Sequence, residues 1–324
     1  MKRQLTFSLI PLIVLFSAVE LGLRATDWPQ VTANFEHNEP FWVVDPDLKN
    51  YPMPHKEEST TFAVSSNPDG LRTSITSYDS AKQRVMTMGC STTFGWGVDQ
   101  SQSYPEQLQQ RMNQAGYTSV EVLNAGQPGY TSFQGNWLWD QILEQYSPDV
   151  VLLGFIVQDA RKAAYSDKSQ AILQSDNRFL KDNFLYRSKV YLGLRHSLGS
   201  VQIRAKERSN QDDGGVFRVP PEDYVSNLRA LVAKIESSGA QPVLFGYPLE
   251  RTGYTENHRA ILKAASEQLS IPVFDPQSRM EEATKSSPQP LYFPRDKGHA
   301  NAKGNALIAD WVFEFLTENQ LVKK

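Results

Sequence analysis

Two short segments, far apart in the chain of 324 residues, carry side chains that acyl-transfer chemistry requires. Ser91 follows an apolar run and precedes two nearby glycines, so it is expected to be exposed on a glycine-rich turn. Near the other end of the sequence, Asp296 precedes His299 by three residues. A serine nucleophile, a histidine base and a carboxylate that orients the histidine are the parts of a Ser-His-Asp site. The sequence therefore predicts a catalytic site formed by Ser91, Asp296 and His299.

Residues near these segments also allow other interpretations. Taken alone, Ser91 could be an ordinary turn or N-cap serine. Cys90 is an alternative nucleophile, because thiolates attack carbonyl carbons readily, although no second histidine accompanies it. Four further histidines have no comparable neighbours and are assigned no role: His37, His55, His196 and His258.

The elements that must position these residues alternate along the chain. Apolar runs typical of buried strands cover 84–88, 120–123, 150–155, 242–247 and 271–274. Helical patterns cover 104–112, 133–146, 222–237, 258–269 and 301–316. Such alternation predicts βαβ units, a parallel sheet and a three-layer α/β/α sandwich. Ligands of such sheets bind beyond the carboxyl ends of the strands, and three candidate site segments follow strands.

Two helix starts carry capping signals. Ser103, followed three residues later by Glu106, has the spacing of a capping box. Asn301 is the expected N-cap of the last helix, directly behind His299.

Four short blocks, taken in order, resemble those of SGNH (GDSL-type) hydrolases, specifically their membrane-anchored bacterial branch. Ser91 matches the serine of the first block, and Asp296 and His299 match the last block. Gly129, within 124–131, matches the glycine of the second block, and Gln158, within 154–159, stands in the third. The resemblance covers roughly residues 60 to 320. It implies an SGNH hydrolase fold with a flavodoxin-like parallel sheet, esterase activity, and an oxyanion hole formed by Ser91, Gly129 and Gln158.

The chain departs from the family pattern at two positions. Cys90 stands where the family has an aspartate, outside the catalytic residues. Gln158 stands where the family has an asparagine, and its amide is carried on a side chain longer by one methylene. An alignment shifted by one residue would place Asp159 there, but an ionised carboxylate cannot stabilise an oxyanion. Asp159 is instead expected to cap or brace the loop of the third block.

Composition narrows the classes of partner. A net charge of −3 and a pI of about 6.0 argue against nucleic acid as the main partner. One cysteine excludes an intrachain disulfide. The sequence has no His-Glu-x-x-His metal motif and no phosphate-binding loop, so we expect neither a metal nor a cofactor.

The N-terminus has the pattern of an export signal. Lys2 and Arg3 precede an apolar run over 5–19. We expect residues 1–26 to be an uncleaved signal anchor rather than a cleaved signal peptide. The positive-inside rule then places the catalytic domain, 81–324, on the extracytoplasmic side of a membrane.

Two segments lie outside the regular alternation. Residues 27–80 are expected to form an extended or β-hairpin cap, with the turn at 67–70 joining strands at 60–64 and 71–73. The stretch from about 160 to 216 is expected to be a helical insertion that ends in a flexible linker at 209–215. Its segment 186–206 has the pattern of a basic amphipathic helix. That helix could lie on an anionic membrane surface or form a lid on the core.

The predicted function is that of an extracytoplasmic serine esterase acting on an acyl or acetyl ester of a glycan or lipid. Two alternatives remain open: an O-acyltransferase acting on an envelope polysaccharide, and a non-catalytic SGNH-like envelope protein. Aromatic residues near the motifs could line an acyl or sugar pocket: Phe94, Trp96, Tyr130, Phe155 and Tyr292. Three arginines could meet an anionic substrate: Arg72, Arg161 and Arg251.

Overall fold

The structure is a computed structural model in which the chain divides into two units. The described residues are 2–26, 28, 43–73, 75, 82–163, 165–175, 188–194, 197, 215–296 and 298–324. One unit consists of residues 1–42 and 162–216, and the other of residues 43–161 and 217–324. All the predicted site residues belong to the second unit, together with the segment 43–80 that precedes the core strands.

The strands follow one another along the chain as predicted by the apolar runs, with a hairpin added before them. They are β1 (Tyr51–His55), β2 (Thr60–Val64), β3 (Gln83–Gly89), β4 (Val120–Gly126), β5 (Val150–Gly154), β6 (Lys162–Ala163), β7 (Val216–Phe217), β8 (Gln241–Phe245) and β9 (Val273–Phe274). The central sheet has the spatial order β4-β3-β5-β8-β9. Every neighbouring pair in it is parallel. This is the flavodoxin-like order, so the predicted sheet is confirmed.

Helices of the second unit cover both faces of this sheet. The described helices of both units, in chain order, are α1 (Lys2–Ala25), α2 (Ser91–Phe94), α3 (Tyr104–Gln114), α4 (Ser132–Leu138), α5 (Asp167–Ser175), α6 (Pro221–Ser237), α7 (Glu256–Leu269), α8 (Gln277–Ser286) and α9 (Ala302–Glu318). Short 3₁₀ turns occupy Gln100–Gln102, Glu144–Tyr146 and Gly253–Thr255. A π-helical turn, Trp139–Leu143, follows α4.

Each face of the sheet has its own hydrophobic core, because successive residues of a strand point to opposite faces. Met86 and Val151 belong to the core beneath α4, α6 and α7. Their neighbours Val85 and Val150 belong to the core beneath α3 and α9. The result is the predicted three-layer α/β/α sandwich.

Local signals at helix starts had mixed outcomes. Asn301 caps α9 as predicted, since its side chain accepts hydrogen bonds from the N–H groups of Lys303 and Gly304. The capping box predicted at Ser103 does not form, because the Ser103 hydroxyl donates to the Gln100 carbonyl 3.0 Å away. The helix predicted over 133–146 is α-helical only as far as Leu138.

The hairpin before the core pairs different strands from those predicted. β1 is antiparallel to β2, with Tyr51 opposite Val64 and His55 opposite Thr60. The predicted turn at 67–70 exists, but it does not join two strands. Asn67 instead accepts hydrogen bonds from the backbone of Asp69 and Leu71 and so closes a local loop.

The first unit contains α1 and part of the insertion. Apolar side chains of α1 are exposed: Ile10, Ile13, Val14, Leu15, Phe16, Val19 and Leu21. The Glu20 carboxylate accepts hydrogen bonds from the N–H groups of Lys189 and Val190, at the start of a helical stretch at 189–194.

Among the described residues, none of the helices has both the length and the apolar character needed to cross a membrane. The predicted membrane-spanning anchor is therefore not supported. Most of the predicted amphipathic helix at 186–206 and nearly all of the linker at 209–215 lie outside the described residues.

Arg72 is fully buried and holds the hairpin against the chain that follows β3. Its guanidinium donates to one side chain and four carbonyls: Gln100 Oε1 and the oxygens of Ala63, Phe94, Gly95 and Val98. Desolvation lowers the pKa of Arg72 to about 10, which leaves it charged at neutral pH. Arg72 is thus a structural residue, and the expectation that it could meet an anionic substrate is wrong.

We predict that Arg72→Met lowers the free energy of unfolding by at least about 3 kcal/mol, because it leaves several buried acceptors without a donor. Urea unfolding followed by circular dichroism measures this. The matched control is Arg279→Met, since Arg279 is 50 % exposed in its ion pair with Glu314. It should change stability by less than about 1 kcal/mol. Equal losses in the two variants would contradict the structural role of Arg72.

Candidate active site

Ser91 lies at the carboxyl end of β3, as the first residue of the short helix α2. The neighbouring strand β4 ends at Gly126, where a side chain could not fit. A Cβ atom there would lie 2.3 Å from the backbone nitrogen of Phe94. Because of this close approach, α2 packs directly against the end of β4, and the position of the Ser91 backbone is fixed.

A chain of hydrogen bonds joins the three predicted catalytic residues. His299 Nε2 lies 2.8 Å from Ser91 Oγ, and His299 Nδ1 lies 2.6 Å from Asp296 Oδ2. An ionised carboxylate can only accept, so the Nδ1 atom must carry the proton that faces it. In the neutral imidazole this leaves Nε2 as an acceptor directed at the serine hydroxyl. The geometry is that of a nucleophile, a base and an orienting carboxylate.

The Asp296 carboxylate is held in its ionised form. Burial by itself would raise its pKa. The hydrogen bond and charge of His299, with further hydrogen bonds from His55 and the Gly298 N–H, outweigh burial and lower the pKa to about 2. Glu58 fixes the backbone of this segment, since its Oε1 accepts the N–H groups of Arg295 and Asp296. The orienting group therefore stays charged throughout the neutral and mildly acidic range.

His55 is a site residue that sequence reasoning missed. It is fully buried at the end of β1, and its Nε2 atom lies 2.9 Å from Asp296 Oδ2. Because this contact also faces a carboxylate, Nε2 must be protonated and must donate. The ring packs edge-on against Phe293, with centroids 4.7 Å apart. Oδ2 of Asp296 therefore accepts N–H groups from two histidines. His55 has no local sequence motif to mark it.

The second block forms the turn that the sequence predicts. The Tyr130 N–H donates to the Gln127 carbonyl, and Gly129 has a φ of 78°. This is the positive φ that a type II turn requires at its third residue. Gly129 is half-buried in the loop between β4 and α4.

The third block places Gln158 and Asp159 in a buried loop after β5. Gln158 Oε1 accepts a hydrogen bond of 3.0 Å from Arg218 Nη1. Asp159 Oδ1 accepts the N–H of Ser132, at the start of α4. Asp159 thus braces the loop, as predicted, by tying the third block to the helix after the second.

Cys90 has the environment of a structural residue. The side chain is completely buried, and burial raises the pKa of its thiol. A reactive thiolate needs exposure and nearby positive charge. The alternative in which Cys90 is the nucleophile is therefore not supported by its surroundings.

Most of the other residues predicted to contact substrate are buried in the hydrophobic cores. Four of the five aromatic candidates are buried in the cores: Phe94, Tyr130, Phe155 and Tyr292. Trp96 is partly exposed, and Arg161 and Arg251 are exposed. His258 is buried and hydrogen-bonded through Nε2 to the Val219 carbonyl, which is a structural role. His37 and His196 lie outside the described residues.

One group of side chains near the site has donors of the types that bind metal ions. Ligand atoms of His55, Glu57 and Asp296 lie within 4.8 Å of one another. The His55 and Asp296 atoms already form the hydrogen bond described above. A cation would have to displace that hydrogen bond, so these three residues do not fit a metal site.

Comparison with protein families identifies the family of the chain. Residues 88–307 match the model of the GDSL-like lipase/acylhydrolase family. Because the match covers more than half of the chain, the protein belongs to this family and is an ester hydrolase. A comparison with curated proteins found no match.

Solved structures of low sequence identity resemble the chain. LAE5, an α/β hydrolase enzyme from the metagenome of Lake Arreo in Spain, has 15 % identity and a TM-score of 0.50, with 76 % of this chain and 99 % of that chain covered. The psychrotrophic esterase EstA from Pseudoalteromonas sp. has 18 % identity and a TM-score of 0.47, with 74 % and 99 % covered. At such identity, the likeness to LAE5 is one of fold.

We predict that His55→Phe lowers kcat by about tenfold or more, since it removes an N–H donor from the charged Asp296 and keeps an aromatic ring against Phe293. KM should change little, because His55 is buried and does not meet solvent. Steady-state hydrolysis of 4-nitrophenyl acetate measures both constants. Glu57→Gln serves as the control, because Glu57 is 57 % exposed and 3.9 Å from His55. An unchanged kcat in a folded His55→Phe protein would show that Asp296 does not depend on His55.

Proposed function

We propose that this ester hydrolase is a serine esterase in which Ser91, His299 and Asp296 cleave a carboxylic ester. The observation that carries the proposal is the unbroken hydrogen-bond chain from Ser91 Oγ through both nitrogens of His299 to Asp296 Oδ2. In a neutral imidazole whose Nδ1–H faces the carboxylate, Nε2 is the acceptor for the serine hydroxyl, which is the arrangement that serine activation needs.

In the first half of the reaction, His299 Nε2 takes the proton of Ser91 as Oγ attacks the ester carbonyl carbon. Asp296 orients the imidazole and stabilises the imidazolium that forms. The tetrahedral intermediate then collapses, its bond to the leaving oxygen breaks, and His299 returns the proton to that oxygen. An alcohol departs and an acyl group remains on Ser91.

Negative charge on the former carbonyl oxygen needs donors that are already in place. We propose the backbone N–H groups of Ser91 and Gly129 together with the Gln158 amide. Support comes from the positive φ of Gly129, after β4, and from the position of Gln158 in the loop after β5. Water deprotonated by His299 attacks the acyl group, and collapse releases the carboxylic acid and restores Ser91.

Ser91→Ala and His299→Ala should each lower kcat for 4-nitrophenyl acetate by at least about 10³-fold, because the nucleophile and its base act as one unit. Ser101→Ala is a matched control on an exposed serine in the same region and should keep full activity. Circular dichroism confirms that each variant is folded. Retention of more than a tenth of the activity in Ser91→Ala would contradict Ser91 as the nucleophile.

We also propose that the enzyme acts outside the cytoplasm, attached to a membrane through its N-terminal helix, on acyl or acetyl esters of glycans or lipids. Lys2 and Arg3 before the apolar run support this proposal, as do the exposed apolar side chains of α1. Full-length protein should sediment with membranes, and added protease should digest it in spheroplasts. Recovery of full-length protein in the cytoplasmic fraction would contradict the proposal.

A further inference from the structure

The orientation of the Gln158 amide is decided by its neighbour. An amide presents oxygen on one side and N–H donors on the other, and only the N–H side can stabilise an oxyanion. Arg218 Nη1 lies 3.0 Å from the Gln158 oxygen. A guanidinium has donors and no acceptors, so the amide atom facing it must be the oxygen. The NH₂ group is therefore turned away from Arg218 and is available as a donor.

The same guanidinium also holds the second block. Nη1 donates to the Gly129 carbonyl over 2.7 Å, and Nη2 donates to Gln134 Oε1 over 3.2 Å. Gln134 Oε1 also accepts the Thr131 N–H at the start of α4. Arg218 thus links the two loops that carry the proposed non-serine donors, Gly129 and Gln158.

The backbone of Arg218 is fixed as well. Its N–H donates to the Arg161 carbonyl over 2.7 Å, and the next N–H, of Val219, donates to the Asp159 carbonyl. Both acceptors belong to the loop that begins at Gln158. The side chain is half-buried, and its fork geometry loses little freedom on binding several acceptors.

We propose that Arg218 is a positioning residue that fixes the Gln158 amide with its N–H side toward the oxyanion. The proposal rests on the serine-esterase function proposed above. Gln158 stands where the family has an asparagine, and its longer side chain has one more rotatable bond to restrain. Arg218 restrains it by donating a hydrogen bond to the Gln158 oxygen, which leaves the NH₂ end for catalysis.

A double-mutant cycle tests this mechanism. Gln158→Ala should lower kcat roughly 10²- to 10³-fold, the usual cost of one oxyanion donor. Arg218→Met should lower kcat about tenfold or more, with KM changed less than about threefold. In the double variant, the loss in kcat should be clearly smaller than the product of the two single losses, because part of the effect of Arg218 is exerted through Gln158. Independent, multiplying losses would overturn the proposal, as would a change in KM alone.

Gln158→Glu separates orientation from charge. It keeps an oxygen acceptor for Arg218 but replaces the N–H side by a second oxygen, so kcat should fall at least as far as in Gln158→Ala. Retained activity in Gln158→Glu would show that no N–H of residue 158 is used and would overturn the proposal.

The remaining controls distinguish this inference from the proposed function itself. Wild type must hydrolyse 4-nitrophenyl acetate and lose that activity in Ser91→Ala; if it does not, the serine-esterase proposal fails first. If wild type is active and Arg218→Met matches it, only the role of Arg218 is refuted. Arg229→Met, on an exposed position of α6, is the matched control and should leave kcat unchanged. Urea midpoints confirm that each variant is folded.

Discussion

The site depends on one oxygen atom, Oδ2 of Asp296, which accepts N–H groups from both His299 and His55. The two donors come from opposite ends of the second unit, one from the hairpin before the sheet and one from the loop before the last helix. Two N–H donors directed at one oxygen are stabilising only if the carboxylate stays ionised. The lowered pKa of Asp296 reflects these contacts. The hairpin therefore contributes a residue to the proposed active site and is not only a cover for it.

The fold supplies the rest of the arrangement at one edge of the sheet. Ser91, Gly129 and Gln158 follow three adjacent strands, β3, β4 and β5, at the point where the strand order reverses. Two buried or half-buried arginines then join the loops. Arg72 ties the hairpin to the chain after α2, and Arg218 ties the second block to the third. Both use several donors of one planar group, which a lysine could not do.

The sheet and the pairing of Asp296 with His299 could be predicted from the sequence, because both are marked by local patterns. The core strands are continuous apolar runs, and Asp296 and His299 are three residues apart. His55 and Arg218 were not found because their partners are 241 and 60 residues away, and such contacts exist only after folding. The strand β1 contains Pro52 and Pro54, which argue against a strand unless it lies at an edge. The turn signal at 67–70 was stronger in the sequence, but in the structure it forms a local turn closed by Asn67 and not the turn of the hairpin.

The central claim, an activated serine at the end of β3, is tested most directly by mapping a covalent adduct. Purified protein would be treated with a fluorophosphonate, digested, and analysed by mass spectrometry. We predict a single adduct, on Ser91, in wild type, and no adduct in His299→Ala, because phosphonylation needs both the hydroxyl and its base. An adduct on another residue, or none in folded wild-type protein, would contradict the account.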